Sequence, residues 1–150
     1  MNNDTSSTIP FETAHWDITP GRTVLVVIDP QNDFLHPEGR YAEKGIDIAH
    51  MQRVIEPLKQ VLKDVRAKNI PVVWTRHGTR GVDDGGPFMR LRPFLQDGGL
   101  RQGTWGYQIL EDLEPGEEDW YVEKTRLSAF FQTNLESLLR ALNADTVLIT

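Results

Sequence analysis

Cysteine is absent from the 150 residues, which excludes disulfides, zinc–thiolate sites and a thiol nucleophile within the sequence itself. Nor does any run approach the roughly 20 apolar residues that a membrane helix requires. Positive charge is scarce: 16 Lys and Arg stand against 22 Asp and Glu, a formal net charge of −6. An acidic pI near 5.2 argues against nucleic acid as a partner, because nucleic-acid-binding domains carry a basic stripe. No basic amphipathic segment points to a membrane surface. The opening MNNDTSSTIPFETAHWDITPGR lacks both a basic n-region and an apolar h-region, so it is no secretory signal. Residues 1–20 are expected to be a polar tail, residues 21–150 one domain, and the location cytoplasmic.

Four short apolar runs are present. TVLVVID (Thr23 to Asp29) is β-branched, continuous and bounded by Pro20-Gly21 and Pro30. Such a run suits a strand buried on both faces of a parallel sheet. IPVVWT (Ile70 to Thr75) and TVLIT (Thr146 to Thr150) read the same way, and WYVEK (Trp120 to Lys124) reads as a further strand. Between the first two, Ile48, Met51, Val54, Ile55, Leu58, Val61, Leu62 and Val65 recur at helical steps. Pro57 either kinks that helix or lies in its first turn, and Lys68-Asn69 ends it. A second helix is expected from about Asn134 to Asn143, its stripe made of Leu135, Leu138, Leu139 and Leu142. Thr133 and Glu136 fit a capping box at its start.

The stretch from Gly78 to Gly106 has no periodicity and holds eight of the 12 glycines. It is too long for an ordinary connection and reads as a functional excursion or a surface insertion. A short helix is expected at Trp105 to Leu113. Alternation of strands and helices gives an α/β protein with a parallel sheet and helices on both faces, a three-layer α/β/α sandwich of Rossmann-like type. Four strands and two good helices are few for such a sandwich, so the sequence reads as the first two-thirds of a domain.

In an open parallel sheet, ligands bind beyond the carboxyl ends of the strands. That rule selects Asp29 to Asp33, Arg76-His77 and Lys124 to Arg126. A carboxylate ending an apolar strand is partly desolvated and needs a cation nearby to stay charged. Lys124, at the equivalent place on another strand, can supply it, and such a pair suits proton transfer. The plainer reading makes Asp29 a turn cap and Lys124 a surface lysine.

VLVVIDPQNDF (Val24 to Phe34), the lysine of VEKTRLSAF (Val122 to Phe130) and the helix-then-strand ending in TVLIT resemble the isochorismatase-like cysteine hydrolase superfamily. The likeness runs from about Thr23 to Thr150. GTWGYQILEDL (Gly103 to Leu113) and KTRLSAFFQTNLESLLR (Lys124 to Arg140) are similar to its ureidoacrylate and biuret amidohydrolase branch. The resemblance implies a six-stranded parallel sheet and an Asp–Lys–Cys triad. Asp29 would take the thiol proton and later pass one to the leaving amine. Lys124 would hold Asp29 ionised and stabilise the thiolate, and Phe34 would line the pocket. The cysteine would follow Thr150 directly, in a turn where a helix N-terminus favours the thiolate and backbone N–H groups hold the oxyanion. The sequence is therefore expected to be a piece of a longer enzyme rather than a short protein.

Other candidates come from the residues themselves. His77 either faces the pocket or is a turn histidine bonded to backbone. Trp105 and Tyr107 either close over a small planar substrate or make oligomer contacts. Arg80, Arg90, Arg92 and Arg101 either grip planar oxygen pairs or pair with the acidic stretch Glu111 to Glu123. Some superfamily relatives bind a metal through one Asp and two His; His15, His36, His50 and His77 show no such spacing, so neither metal nor cofactor is expected. The expected function is hydrolysis of a small amide or ureide by a homo-oligomer. The alternatives are enol-ether hydrolysis of the isochorismatase type and a non-catalytic binding or oligomerisation module.

Overall fold

The four apolar runs form four strands: β1 (Thr23–Ile28), β2 (Val72–His77), β3 (Trp120–Lys124) and β4 (Thr146–Ile149). The structure, a computed structural model, describes residues 18–150. The expected tail therefore lies, up to residue 17, outside the described residues, as does His15. The helices are α1 (Asn32–Leu35), α2 (Arg40–Glu43), α3 (Ala49–Gln52), α4 (Ile55–Ala67), α5 (Gly86–Arg90) and α6 (Leu135–Ala141).

The strands lie in the order β3-β2-β1-β4, and every pairing is parallel. Side chains alternate between the two faces of the sheet. Leu25 and Val27 of β1, with Val72 and Trp74 of β2, pack on Leu58, Leu62 and Val65 of α4. Val24 and Val26, with Val73 and Val122, meet Leu135 and Leu138 of α6 on the opposite face. This is the expected three-layer sandwich, and it explains why TVLVVI is apolar throughout: both faces of β1 are covered. Each such side chain, fully buried, contributes about 1.5–3 kcal/mol. Four of the six strands that the resemblance implies lie among the described residues.

Both long helices end alike. Asn69 and Asn143 take left-handed backbone, φ 54° each. The next N–H reaches back to a carbonyl of the last turn, Ile70 to Val65 and Ala144 to Leu139, at 3.0 Å in each case. These are Schellman closures with Asn in the place glycine usually holds. Ile70 is used in this closure, so β2 begins two residues later than the apolar run suggests. It continues through Arg76 and His77 because these pair in register with Glu123 and Lys124. Pro57 stands in the first turn of α4 and kinks nothing; Met51 belongs to the separate turn α3.

Two expectations are corrected. No capping box forms at α6: Thr133 Oγ1 accepts the Leu135 N–H at 3.2 Å, but the Glu136 carboxylate turns to Arg140, at 2.7 Å. Trp105 to Leu113 is a series of turns ending in the 3-10 turn Glu111–Leu113. A helix is prevented because its carbonyls are engaged elsewhere. Asn32 Nδ2 donates to Trp105 O, Asp33 N to Gly106 O and Asn32 N to Gln108 O, each at 2.9 Å. The Gly78–Gly106 excursion is a folded insert with its own apolar cluster of Phe88, Met89, Leu95 and Leu100, against which Phe34, Tyr41 and Phe94 pack.

Candidate active site

Because all strands run one way, their carboxyl ends share an edge. There β1, β2 and β3 bring Asp29, Thr75, His77 and Lys124 together. Asp29 leaves β1 with φ 51°, a left-handed conformation that Asp tolerates better than most residues. Its Oδ1 accepts the Thr75 hydroxyl at 2.5 Å, and Thr75 Oγ1 accepts the Asp29 N–H at 3.1 Å. Lys124 Nζ meets Asp29 Oδ2 at 2.6 Å across the end of β2. The ammonium also donates to Leu127 O at 3.1 Å and Arg126 O at 3.4 Å. Lys124 is 3% exposed, so it is no surface lysine, and Asp29 bonds to Thr75 and Lys124 rather than capping a turn. Charged pairs removed from water this far are expensive to assemble, and sites retain them mainly where function requires them.

His77 is 2% exposed, and neither ring nitrogen has a hydrogen-bond partner among the described residues. Its ring meets Phe88 at 4.4 Å between centroids. Burial, then the Lys124 ammonium, lower its pKa below the ordinary imidazole range, and Asp29 and the Arg126 carbonyl oppose them only in part. The unfolded chain takes a proton on His77 near pH 6.5, whereas the folded chain resists it, so stability present above that pH is lost as the pH falls. Thermal unfolding between pH 8 and pH 5 is expected to show a steeper acid-side loss in the wild type than in His77→Phe. Parallel curves would remove the assignment.

Of two further residues of the site, sequence reasoning does not select Thr75, and it selects Gln31 only as part of the stretch Asp29 to Asp33, with no role. Thr75, the last residue of IPVVWT, is fully buried and holds the Asp29 carboxylate. Gln31, also fully buried, donates from Nε2 to His77 O at 3.0 Å and to Tyr107 O at 2.9 Å, and its Oε1 accepts the His77 N–H at 2.7 Å. Gln31 stands in the PQNDF run, where a fully buried amide is visible only once the fold is known. Asp33, next in that run, accepts the N–H groups of Arg40 at 3.0 Å and Leu100 at 2.5 Å. Its carboxylate presses on Gly106, where a Cβ would overlap it, so that position has to be glycine.

The other expected site residues make their contacts elsewhere. Phe34 is half-buried between the main core and the excursion, with Tyr41 at 4.9 Å. Trp105 is 51% exposed and meets His36 edge-on at 4.9 Å. Arg101 serves the excursion's own fold, donating to the carbonyls of Gly81 at 3.1 Å and Gln96 at 3.1 Å. Arg92 lies over the Phe88 ring at 4.3 Å. The acidic stretch pairs instead with Arg76, through Glu123 at 2.7 Å, and Arg66, through Asp119 at 2.9 Å. No cluster of His, Asp and Glu able to hold a metal occurs among the described residues, and no helix there is long and apolar enough to cross a membrane. Surface depressions beside Arg76 and Tyr121, and between α4 and the 3-10 turn Glu111–Leu113, include neither Asp29 nor Lys124.

Residues 23–150 match the model of the isochorismatase domain. The chain is 37% identical to the ureidoacrylate amidohydrolase RutB of Rhizobium rhizogenes, over 91% of this chain and 61% of that protein. To the RutB of Agrobacterium fabrum it is 36% identical, over 89% and 65%. It thus spans somewhat under two-thirds of the length of these relatives. Among solved structures it is similar to a cysteine hydrolase from Pseudomonas syringae pv. phaseolicola, with a TM-score of 0.81 and 28% identity over 94% of this chain and 64% of that one. N-carbamoylsarcosine amidase from Thermoplasma acidophilum gives 0.67 and 27%, over 85% and 66%.

Proposed function

The chain belongs to the isochorismatase family, and on that premise we propose that it hydrolyses the C–N bond of a small amide or ureide, with Asp29 as proton acceptor and Lys124 as its partner. The observation that carries the reading is the buried contact of 2.6 Å between Lys124 Nζ and Asp29 Oδ2, held in place by Thr75. Asp29 keeps 17% of its side chain exposed, so the carboxylate can still receive a proton from a reacting group. The names of the relatives, ureidoacrylate amidohydrolase and N-carbamoylsarcosine amidase, support the substrate class.

The nucleophile in this proposal is a cysteine following Thr150. Ile28 N donates to Thr150 O at 2.9 Å, so the end of β4 lies one ladder rung from Asp29. Asp29 removes the thiol proton and the thiolate adds to the substrate carbonyl. The C–N bond breaks as the proton is delivered to the leaving nitrogen, and water then cleaves the thioester. An amide gives ammonia or an amine and a carboxylic acid, and a ureide, through a carbamoyl thioester, gives a carbamate and the freed amine or ammonia. Phe34 and Trp105 belong to the substrate pocket in this reading, and cytoplasmic location and self-association stand as parts of the same proposal.

Intact mass and activity of the natural protein, before and after iodoacetamide, test it. A mass above 17.1 kDa, a single label and loss of ureide hydrolysis are expected. Turnover that survives alkylation would move the assignment to enol-ether hydrolysis. Saturable binding without turnover would make the chain a binding module.

A further inference from the structure

We propose that His77 hydrogen-bonds the uncharged amide or ureide group of the substrate, and so selects for that group over a carboxylate. The inference takes the ligand's chemical class from the hydrolase reading, but rests on its own observation. The imidazole is 2% exposed, and among the described residues neither nitrogen makes a hydrogen bond of full geometry, the Arg126 carbonyl being the one backbone acceptor near the ring. Buried polar groups are hydrogen-bonded as a rule, and an exception marks a place where a partner arrives from outside. His77 is no loosely held turn residue. The Gln31 carboxamide fixes its N–H at 2.7 Å and its carbonyl at 3.0 Å, and the following N–H, of Gly78, donates to Lys124 O at 3.0 Å. The backbone of His77 is thus anchored at the strand ends that carry Asp29 and Lys124, but among the described residues its ring nitrogens make no hydrogen bond of full geometry.

Chemistry narrows the partner. A neutral imidazole offers one N–H donor and one acceptor nitrogen, which complements the C=O or N–H of an amide. A carboxylate would call for a second cation there, and the nearby Lys124 charge is already matched by Asp29. Phe88 packs on the ring at 4.4 Å between centroids, so a ligand group that bonds the imidazole requires that phenyl side chain to move aside.

The ring nitrogen resonances of His77 in the full-length protein, titrated with N-methylurea and in parallel with acetate, give the test without any need for turnover. A shift with N-methylurea that acetate does not reproduce is expected. No shift, or the same shift with both, overturns the proposal. In steady-state ureide hydrolysis, His77→Phe, which keeps the contact with Phe88, is expected to raise KM roughly tenfold or more. His77→Gln should recover part of that loss, because it restores a donor and an acceptor. Unchanged kcat/KM in His77→Phe also overturns the proposal. A shift with N-methylurea in a protein that hydrolyses no amide or ureide would sink the hydrolase reading and leave His77 as a binding residue.

Discussion

Asp29→Asn is expected to lower turnover of a ureide by roughly a hundredfold to ten-thousandfold, the range usual for loss of a positioned proton acceptor, and to lower stability as well. Lys124 is 3% exposed, so the substitution leaves an ammonium buried without its counter-charge. Breaking such a pair costs about 3–5 kcal/mol, and the lower end applies here because the Leu127 and Arg126 carbonyls still accept from Nζ. The double variant Asp29→Asn/Lys124→Met removes both charges and replaces the ammonium with an apolar chain of similar length. It should regain most of the lost stability and none of the activity. Denaturant unfolding beside steady-state kinetics separates the two effects. Full activity in Asp29→Asn would end the assignment of Asp29.

Gln31→Leu is the second large effect. β1 pairs with β2 from Leu25 opposite Val72 to Ile28 opposite Thr75. Beyond that point β1 turns away at Asp29, and the His77 peptide groups on that side lose their strand neighbour. The Gln31 side chain replaces it: a carboxamide lying where a peptide group would be, with donor to carbonyl and acceptor to N–H. Leucine of similar size leaves the His77 N–H, the His77 carbonyl and the Tyr107 carbonyl short of a partner in a site closed to water. The expected loss is about 3 kcal/mol or more, seen as a fall in the unfolding midpoint, with activity reduced in the protein that remains folded. Gln31→Glu is informative beside it. A carboxyl group can donate to those carbonyls only while protonated, so its stability should fall as the pH rises, a slope the leucine variant lacks. Stability equal to wild type in both variants would show that the amide holds nothing in place.

Much of the fold was legible because local chemistry decided it. A β-branched run bounded by Pro and Gly can hardly do other than extend, and the four strands stand within two residues of where the runs lie. Asn69 and Asn143 end helices because Asn accepts left-handed backbone, a property of the residue itself. Pro57 sits where a helix tolerates proline. Where the reading failed, a competing partner had intervened. Trp105 to Leu113 has the look of a short helix, but Asn32 and Asp33 take carbonyls there that a helix would need. Glu136 was free to close a capping box and met Arg140 instead.

Residue types and their order thus set the strands, the helix ends and the presence of an acid and a base at strand ends. Tertiary structure alone decided that these two meet. The order β3-β2-β1-β4 puts β2 between Asp29 and Lys124, and Thr75 in that strand holds the Asp29 carboxylate. The same fold buries Gln31 and His77. Periodicity records which way a side chain points relative to its own backbone. It carries no information about which strand lies alongside, because that choice depends on how several faces are covered at once.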